Sequence, residues 1–258
     1  MKRITYLLHI LLLFLWSCGS REFTKNPVDQ LILEMDKEKN FTIILYDMDI
    51  EGTVFEEFKH RYKIITNDTS GMPKERITDW ILVDEEFFDI HSNDLGMEIA
   101  SKKDGVVEKN VAPPGYSNYV GNEHYGSWRT NPDGTSFWEF YGQYAFMSNM
   151  IGLMAGPVYR THYYDYQNNY RNAGVPYYGT TANGTPMYGT SSDVATKQNP
   201  NSKLASNNSF KSKIQNRVAR SSGSSSISGE RSSSSSKTKR STSRKGFSRS
   251  RSSSRGGK

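Results

Sequence analysis

Phe41-Thr42-Ile43-Ile44-Leu45-Tyr46-Asp47-Met48-Asp49-Ile50 is the stretch on which the fold turns. Read as an extended chain, it puts Phe41, Ile43 and Leu45 on one face and Thr42, Ile44, Tyr46, Met48 and Ile50 on the other. A strand that starts apolar on both faces belongs in the middle of a sheet. Glu51-Gly52-Thr53 is a turn. Val54 to Thr66 then alternates, with Val54, Phe58, Tyr62 and Ile64 inward and Lys59, Arg61 and Lys63 outward, so the two runs predict a hairpin. Upstream, Asn26-Pro27 supplies a helix cap and a first-turn proline, and Val28, Leu31, Ile32 and Met35 follow at i, i+3, i+4 and i+7. Asn67 to Pro73 reads as a loop. Further strands are expected near Trp80–Val83, Glu98–Ser101 and Val106–Asn110. Residues 18–110 therefore predict an α+β domain, a small antiparallel sheet with one or two packed helices.

The composition changes past residue 110. Residues 111–190 hold thirteen of the sixteen tyrosines and eleven of the 21 glycines. Ser127–Thr130 and Ser136–Phe140, joined by Asn131-Pro132-Asp133-Gly134, read as strand, tight turn, strand. Tyr144–Met154 is apolar and helix-compatible, and Gly156-Pro157 halts it. Residues 111–170 are thus expected to form an aromatic subdomain. Pro176-Tyr177-Tyr178-Gly179-Thr180 returns as Pro186-Met187-Tyr188-Gly189-Thr190, too few copies for a repeat fold. Residues 171–200 read as a Tyr/Gly linker.

Residues 201–258 read as a long disordered C-terminal tail, rich in Ser and Arg. From Lys211 onward the charge is +13 against +6 for the whole chain, which leaves −7 on the rest. Loss of Lys2 and Arg3 with a cleaved leader would make that body −9. Such a tail cannot bury enough apolar area to offset its ordering entropy. It suits anionic lipid, lipopolysaccharide or an acidic polymer, at about 1 kcal/mol per basic residue near the surface, or it could fold back on its own acidic body. The hydrophobic fraction of 35% and mean hydropathy of −0.70 agree with a partly unfolded chain.

The N-terminus carries a different signal. Met1-Lys2-Arg3 is positive, Ile4–Trp16 is almost wholly apolar, and Ser17-Cys18-Gly19 holds the single cysteine between small residues. The run is well short of the roughly 20 residues a spanning helix needs. Leu15, Ser17 and Cys18 resemble the bacterial lipobox, from which Trp16 departs. The resemblance implies cleavage after a 1–17 signal peptide and lipidation, with palmitate among the acyl chains, of Cys18. Internal disulfides are excluded by the lone cysteine. Gly19-Ser20, with no Asp after the cysteine, resembles the leaders of Bacteroidota-type lipoproteins. That implies the outer membrane, facing the periplasm. From Pro113-Pro114-Gly115-Tyr116 through Tyr125–Arg129 to Ser136–Tyr144, with the Arg/Ser/Gly tail, the chain resembles a family of uncharacterised bacterial membrane-associated proteins. No activity comes with that resemblance.

Motifs for chemistry are scarce. Asp47 and Asp49 share a strand face near Glu51, and paired carboxylates can bind calcium or act as acid and base. At a strand end they are expected to be solvated, as is Asp84-Glu85-Glu86. Glu123-His124, His162 and Asp165 lack metal-site spacing. GxSxG, Walker, HExxH and CxxC patterns are missing. No cofactor, no metal and no catalytic residue is assigned. Trp128, Trp138, Tyr141 and Tyr144 are the candidate contact residues, since Trp and Tyr give rigid amphipathic surface. Packing Trp128, Trp138, Phe137 and Phe140 under Tyr144–Met154 is the alternative. The expected function is that of a non-enzymatic envelope lipoprotein, held by lipid on Cys18, with an envelope protein partner or an anionic surface as its target. Nucleic acid is disfavoured because an exported chain does not reach a nucleus, extracellular nucleic acid alone offering the tail the same phosphate chemistry. An envelope enzyme acting on glycan or cell wall, and a self-assembling surface protein, are the alternatives.

Overall fold

The computed structural model describes residues 26–152 and 156–228, with side chains through 221. Cys18, its leader and the chain past 228 lie outside the described residues. The hairpin forms as the alternation predicts: β1 (Phe41–Glu51) pairs antiparallel with β2 (Glu57–Asn67), from Phe41 opposite Thr66 to Glu51 opposite Glu57. β3 (Pro73–Ile77) and β4 (Ile81–Val83) both pair with β2, at opposite ends of it. β5 (Glu98–Lys103) pairs with β1, and β6 (Val106–Glu108) with β5. The order is β3-β2-β1-β5-β6, antiparallel throughout, with β1 central. The fold is α+β.

Local chemistry sets the helices. In α1 (Pro27–Glu34), Asn26 Oδ1 accepts the Asp29 N–H at 3.1 Å, and Val28 and Leu31 are buried. α2 (Glu85–Ile90) was not anticipated. Asp84 caps it, accepting the Phe87 N–H at 2.7 Å, and Phe88 is driven into the core.

The register of β1 slips between Leu45 and Asp47. This bulge corrects the expected face assignment: Met48 and Ile50 join Ile43 and Leu45 rather than Ile44. An extra residue reverses the side-chain alternation beyond it. Val54, expected inward, is 81% exposed at the hairpin tip because β2 begins only at Glu57.

One sheet face is covered by α1, α2 and the C-terminal helices, around Phe41, Ile43, Leu45, Tyr62 and Phe88. Burial of each such side chain contributes about 2 kcal/mol. The other face, led by Ile44 and Ile65, is covered by the aromatic segment. Residues 111–170 therefore do not stand apart as a subdomain. Asn118 Nδ2 donates to the Phe41 carbonyl at 2.9 Å and to Thr42 Oγ1 at 3.0 Å, and Lys63 Nζ donates to the Met150 carbonyl at 2.9 Å.

The anticipated strand–turn–strand is present as β7 (Gly126–Thr130) and β8 (Ser136–Phe140). The helix expected over Tyr144–Met154 is reduced to a 3-10 turn at Gly142–Tyr144 and α3 (Met147–Met150), with 153–155 outside the described residues. α4 (Arg160–Asp165) runs into a π-helical turn, Tyr166–Arg171. α5 (Asp193–Gln198) and α6 (Lys203–Ser206) are capped by Ser192 and Ser202.

The chain after 200 departs most from expectation. α7 (Asn208–Ser228) presents Phe210, Ile214 and Val218, at i, i+4 and i+8, to the core under the sheet. Its basic residues pair with the body. Lys213 Nζ lies 2.7 Å from Glu56. Arg217 reaches Glu56, Glu85 and Asp89 at 3.2, 3.0 and 2.6 Å, with its guanidinium 4.8 Å over Phe58. The start of the tail is thus drawn onto the acidic body, and apolar spacing overrides the local Ser/Arg composition.

Candidate functional site

Tyrosine supplies most of the aromatic layer. Tyr116, Tyr119 and Tyr166 are fully buried, in edge-on contacts such as Tyr116–Tyr166 at 5.6 Å and Tyr119–Tyr125 at 5.2 Å. Each such pair adds about 1 kcal/mol beyond its buried area. The stretch read as a linker closes this layer. Its two copies pair with each other: Thr180 bridges Pro186, and the Met187 and Tyr188 N–H groups donate to the Tyr178 carbonyl at 3.1 and 2.9 Å. Tyr177 and Tyr188 are buried. Gly189 holds φ +81° against the Asn93 carbonyl, where a Cβ would come within 2.4 Å. A hydrogen-bonded chain fixes the hairpin to the body. Tyr178 donates to Asp94 Oδ1 at 2.6 Å, and His91 Nδ1 lies 2.8 Å from Asp94 Oδ2.

The four candidate contact residues divide. Trp138 and Tyr144 are buried, 6% and 5% exposed, and belong to the core of the layer. This corrects their assignment as contacts: Trp138 sits under Trp128, 5.2 Å between rings, and Tyr144 packs on Tyr125 at 5.0 Å. Tyr141 is 41% exposed and Trp128 half-buried. Trp128 gains partners that the sequence did not point to. Tyr164, 42% exposed, stacks with it at 26° and 6.4 Å, and the Arg160 guanidinium lies 5.9 Å from Trp128 and 5.2 Å from Tyr164. Their spacing of four places the latter two on one face of α4.

A second surface lies beyond the same helix. His162 and Asp165 line an open groove of about 490 Å³ with Tyr170, Tyr177 and Tyr178. His162 Nδ1 has no hydrogen-bond partner, and Asn169 Nδ2 donates to Asp165 Oδ1 at 2.8 Å. Glu123 and His124 are exposed elsewhere, with His124 Nε2 3.0 Å from the Tyr144 hydroxyl. Among the described residues no three His, Cys, Asp or Glu side chains group as metal ligands would.

Of the carboxylates expected to be solvated, Glu85 and Glu86 are exposed and the strand pair is not. Asp47 and Asp49 are 4% and 5% exposed. Lys203 answers both, its N–H 3.1 Å from Asp47 Oδ1 and its Nζ 2.9 Å from Asp49 Oδ2. Burial pushes the Asp47 carboxyl up to about 6, against the opposing pull of the Lys203 and Met48 N–H groups. These side chains anchor the start of the C-terminal helices.

Glu98 escaped notice in the sequence. It is fully buried between β1 and the aromatic layer, and burial pushes it up to about 7. Oε2 accepts the Gly115 N–H at 3.1 Å, whereas Oε1 and the Tyr166 hydroxyl have no partners. His60, also fully buried, is pushed down to about 3 by burial and is held neutral 3.0 Å from the Tyr62 hydroxyl.

No family model matches the chain, and no curated protein or solved structure matches it either.

Proposed function

We propose that the chain is a non-enzymatic lipoprotein of the cell envelope, anchored by lipid on Cys18 at the periplasmic side of the outer membrane. Its body offers the Trp128–Arg160–Tyr164 stack to an envelope protein partner. That stack carries the reading. Trp, Arg and Tyr are the residues that dominate binding energy at protein interfaces, and here they stand partly exposed on a rigid aromatic layer. Among the described residues no helix is long and apolar enough to cross a membrane.

The basic tail serves as a second contact, to anionic lipid, lipopolysaccharide or an acidic polymer. Because Lys213 and Arg217 are engaged by the body, the charge left for such a surface is exposed Lys211 and the run that begins at Arg220. From there to Lys258 it amounts to +10.

The groove that collects His162 and Asp165 favours a second reading, an envelope enzyme acting on glycan. An imidazole and a carboxylate in one cleft are the minimum for acid–base work.

The first reading is tested by recovering the full chain from solubilised membranes with its bound proteins. The double variant Arg160→Ala/Tyr164→Ala loses at least about tenfold of the co-purifying partner, as removal of two interface anchors should, while still unfolding cooperatively with a thermal midpoint lowered by no more than about 8 °C. Undiminished recovery would remove the stack from the account.

A further inference from the structure

The repeat hairpin is flanked by two open grooves that meet at Pro186. The first holds His162, Asp165, Tyr170 and Tyr178; the second, of about 270 Å³, holds Thr181, Thr185, Ser191 and Asp193. We infer that the track formed by these two grooves, which share Pro186, binds a neutral glycan chain. The inference deepens the glycan reading of the His162–Asp165 groove, asking for binding without turnover, and concerns a surface separate from the Trp128 stack.

Charge decides the ligand class first. No Lys or Arg lines either groove, and the ionisable lining includes the carboxylates Asp165 and Asp193. Phosphates, acidic polymers and anionic lipids are disfavoured by like charge in such a place. Carboxylates do accept hydrogen bonds from sugar hydroxyls, and charge-assisted bonds are the stronger kind.

The lining alternates rings and hydroxyls, as the two surfaces of a sugar demand. Tyr170 and Tyr178, both partly exposed, with Pro176 and Pro186 give flat apolar area for the C–H face of a pyranose. Thr180, Thr181, Thr185 and Ser191 give short polar groups for its hydroxyl edge. A peptide would instead call for apolar anchor pockets. Met187 and Val194 are the aliphatic side chains among the lining residues.

The track is also preformed. Tyr178 is tied to Asp94 at 2.6 Å, Thr181 Oγ1 lies 2.7 Å from Thr185 Oγ1, and the two copies of the repeat are bridged through their backbone. A wall fixed before binding avoids the cost of ordering it afterwards. The two copies of Pro-x-Tyr-Gly-Thr divide the work: the first lines the groove with Tyr178 and Thr180, and the second adds Pro186 and Met187 while its Tyr188 and Thr190 are buried in the body.

Isothermal titration calorimetry on the full chain in detergent tests this, with chitohexaose, cellohexaose and maltohexaose as neutral probes. Hexagalacturonate and a proline-rich decapeptide serve as competing classes. At least one neutral hexasaccharide binds with a dissociation constant between about 10 μM and about 1 mM, unchanged between about 0.05 and about 0.5 M salt. Thr180→Trp, which fills the track from an exposed rim position, and Asp165→Asn each weaken it at least about tenfold with no change in thermal midpoint. Arg160→Ala/Tyr164→Ala leaves it intact. Failure of all three neutral probes, preference for hexagalacturonate or for the peptide, or native affinity in both groove variants would overturn the inference.

Discussion

Ile214→Asp abolishes cooperative folding of the body. Ile214 is 0% exposed and lies in the cluster beneath the sheet, with Phe210 and Val218 on the same stripe of α7. An aspartate there is a charge taken out of water with no built partner, which costs several kcal/mol even after relaxation. A domain of this size has about 5–15 kcal/mol in all. Graded variants check the cause: Ile214→Val should cost about 1 kcal/mol and Ile214→Ala about 3 kcal/mol. Ser212→Asp, on the exposed side of the same helix, should leave urea denaturation followed by tryptophan fluorescence nearly unaltered. An unfolded tail starting at residue 201 would give the opposite pattern, with all four variants alike. The effect is large because this helix is part of the core although it lies in the most basic third of the sequence.

Glu98→Gln stabilises the protein at neutral pH and removes its largest loss of stability as pH rises to neutral. The folded carboxyl titrates at about 7 against the ordinary glutamate value of 4.5, and burial is the main cause. The folded state therefore keeps a proton that the unfolded chain gives up between those values. The stabilising contribution of the protonated group is fully present below 4.5 and is lost as pH rises through about 7, a difference of about 3 kcal/mol. Asp47, raised from 3.8 to about 6, pulls in the same direction. His60, pushed down from 6.5 to about 3 by burial, pulls the other way below pH 6.5, and paired surface carboxylates such as Glu56, held low by the Lys213 ammonium, do so weakly. Glutamine keeps the shape and removes the ionisation. The denaturation midpoint at pH 8, relative to that at pH 5, should be higher in the variant than in the native protein, the His60 contribution being common to both. Equal slopes in both would place the titration elsewhere.

The hairpin and α1 were legible because each is a local pattern, period two or period 3.6, with its own caps and turn. The bulge after Leu45 was not, since an inserted residue leaves clean alternation on either side and only the partner strand reveals the slip. Glycine- and tyrosine-rich sequence has no period to read. Its tyrosines were recognised as contact-forming, yet their main contact is with each other and with Ile44 and Ile65 of the sheet. Trp138 and Tyr144 were selected by residue type, and type does not tell a ring that packs from one that is offered. Asp47 looked solvated because its partner Lys203 stands 156 residues away. α7 was hidden by averaging: Phe210, Ile214 and Val218 at spacing four are diluted by the Ser and Arg around them. The short neutral hairpin of the repeat was visible as a duplication, and only the fold turned it into a wall with a groove on each side.

The central claim is that the exposed end of the aromatic layer meets a protein partner in the envelope. A photo-reactive benzophenone amino acid in place of Tyr164, in the full chain in living cells, tests it most directly, with the same group in place of exposed Glu86 on α2 as the control. Position 164 should give one discrete cross-linked envelope protein, lost when Arg160→Ala is added, and position 86 should not. No adduct from position 164, or the same adducts from both positions, would contradict the account.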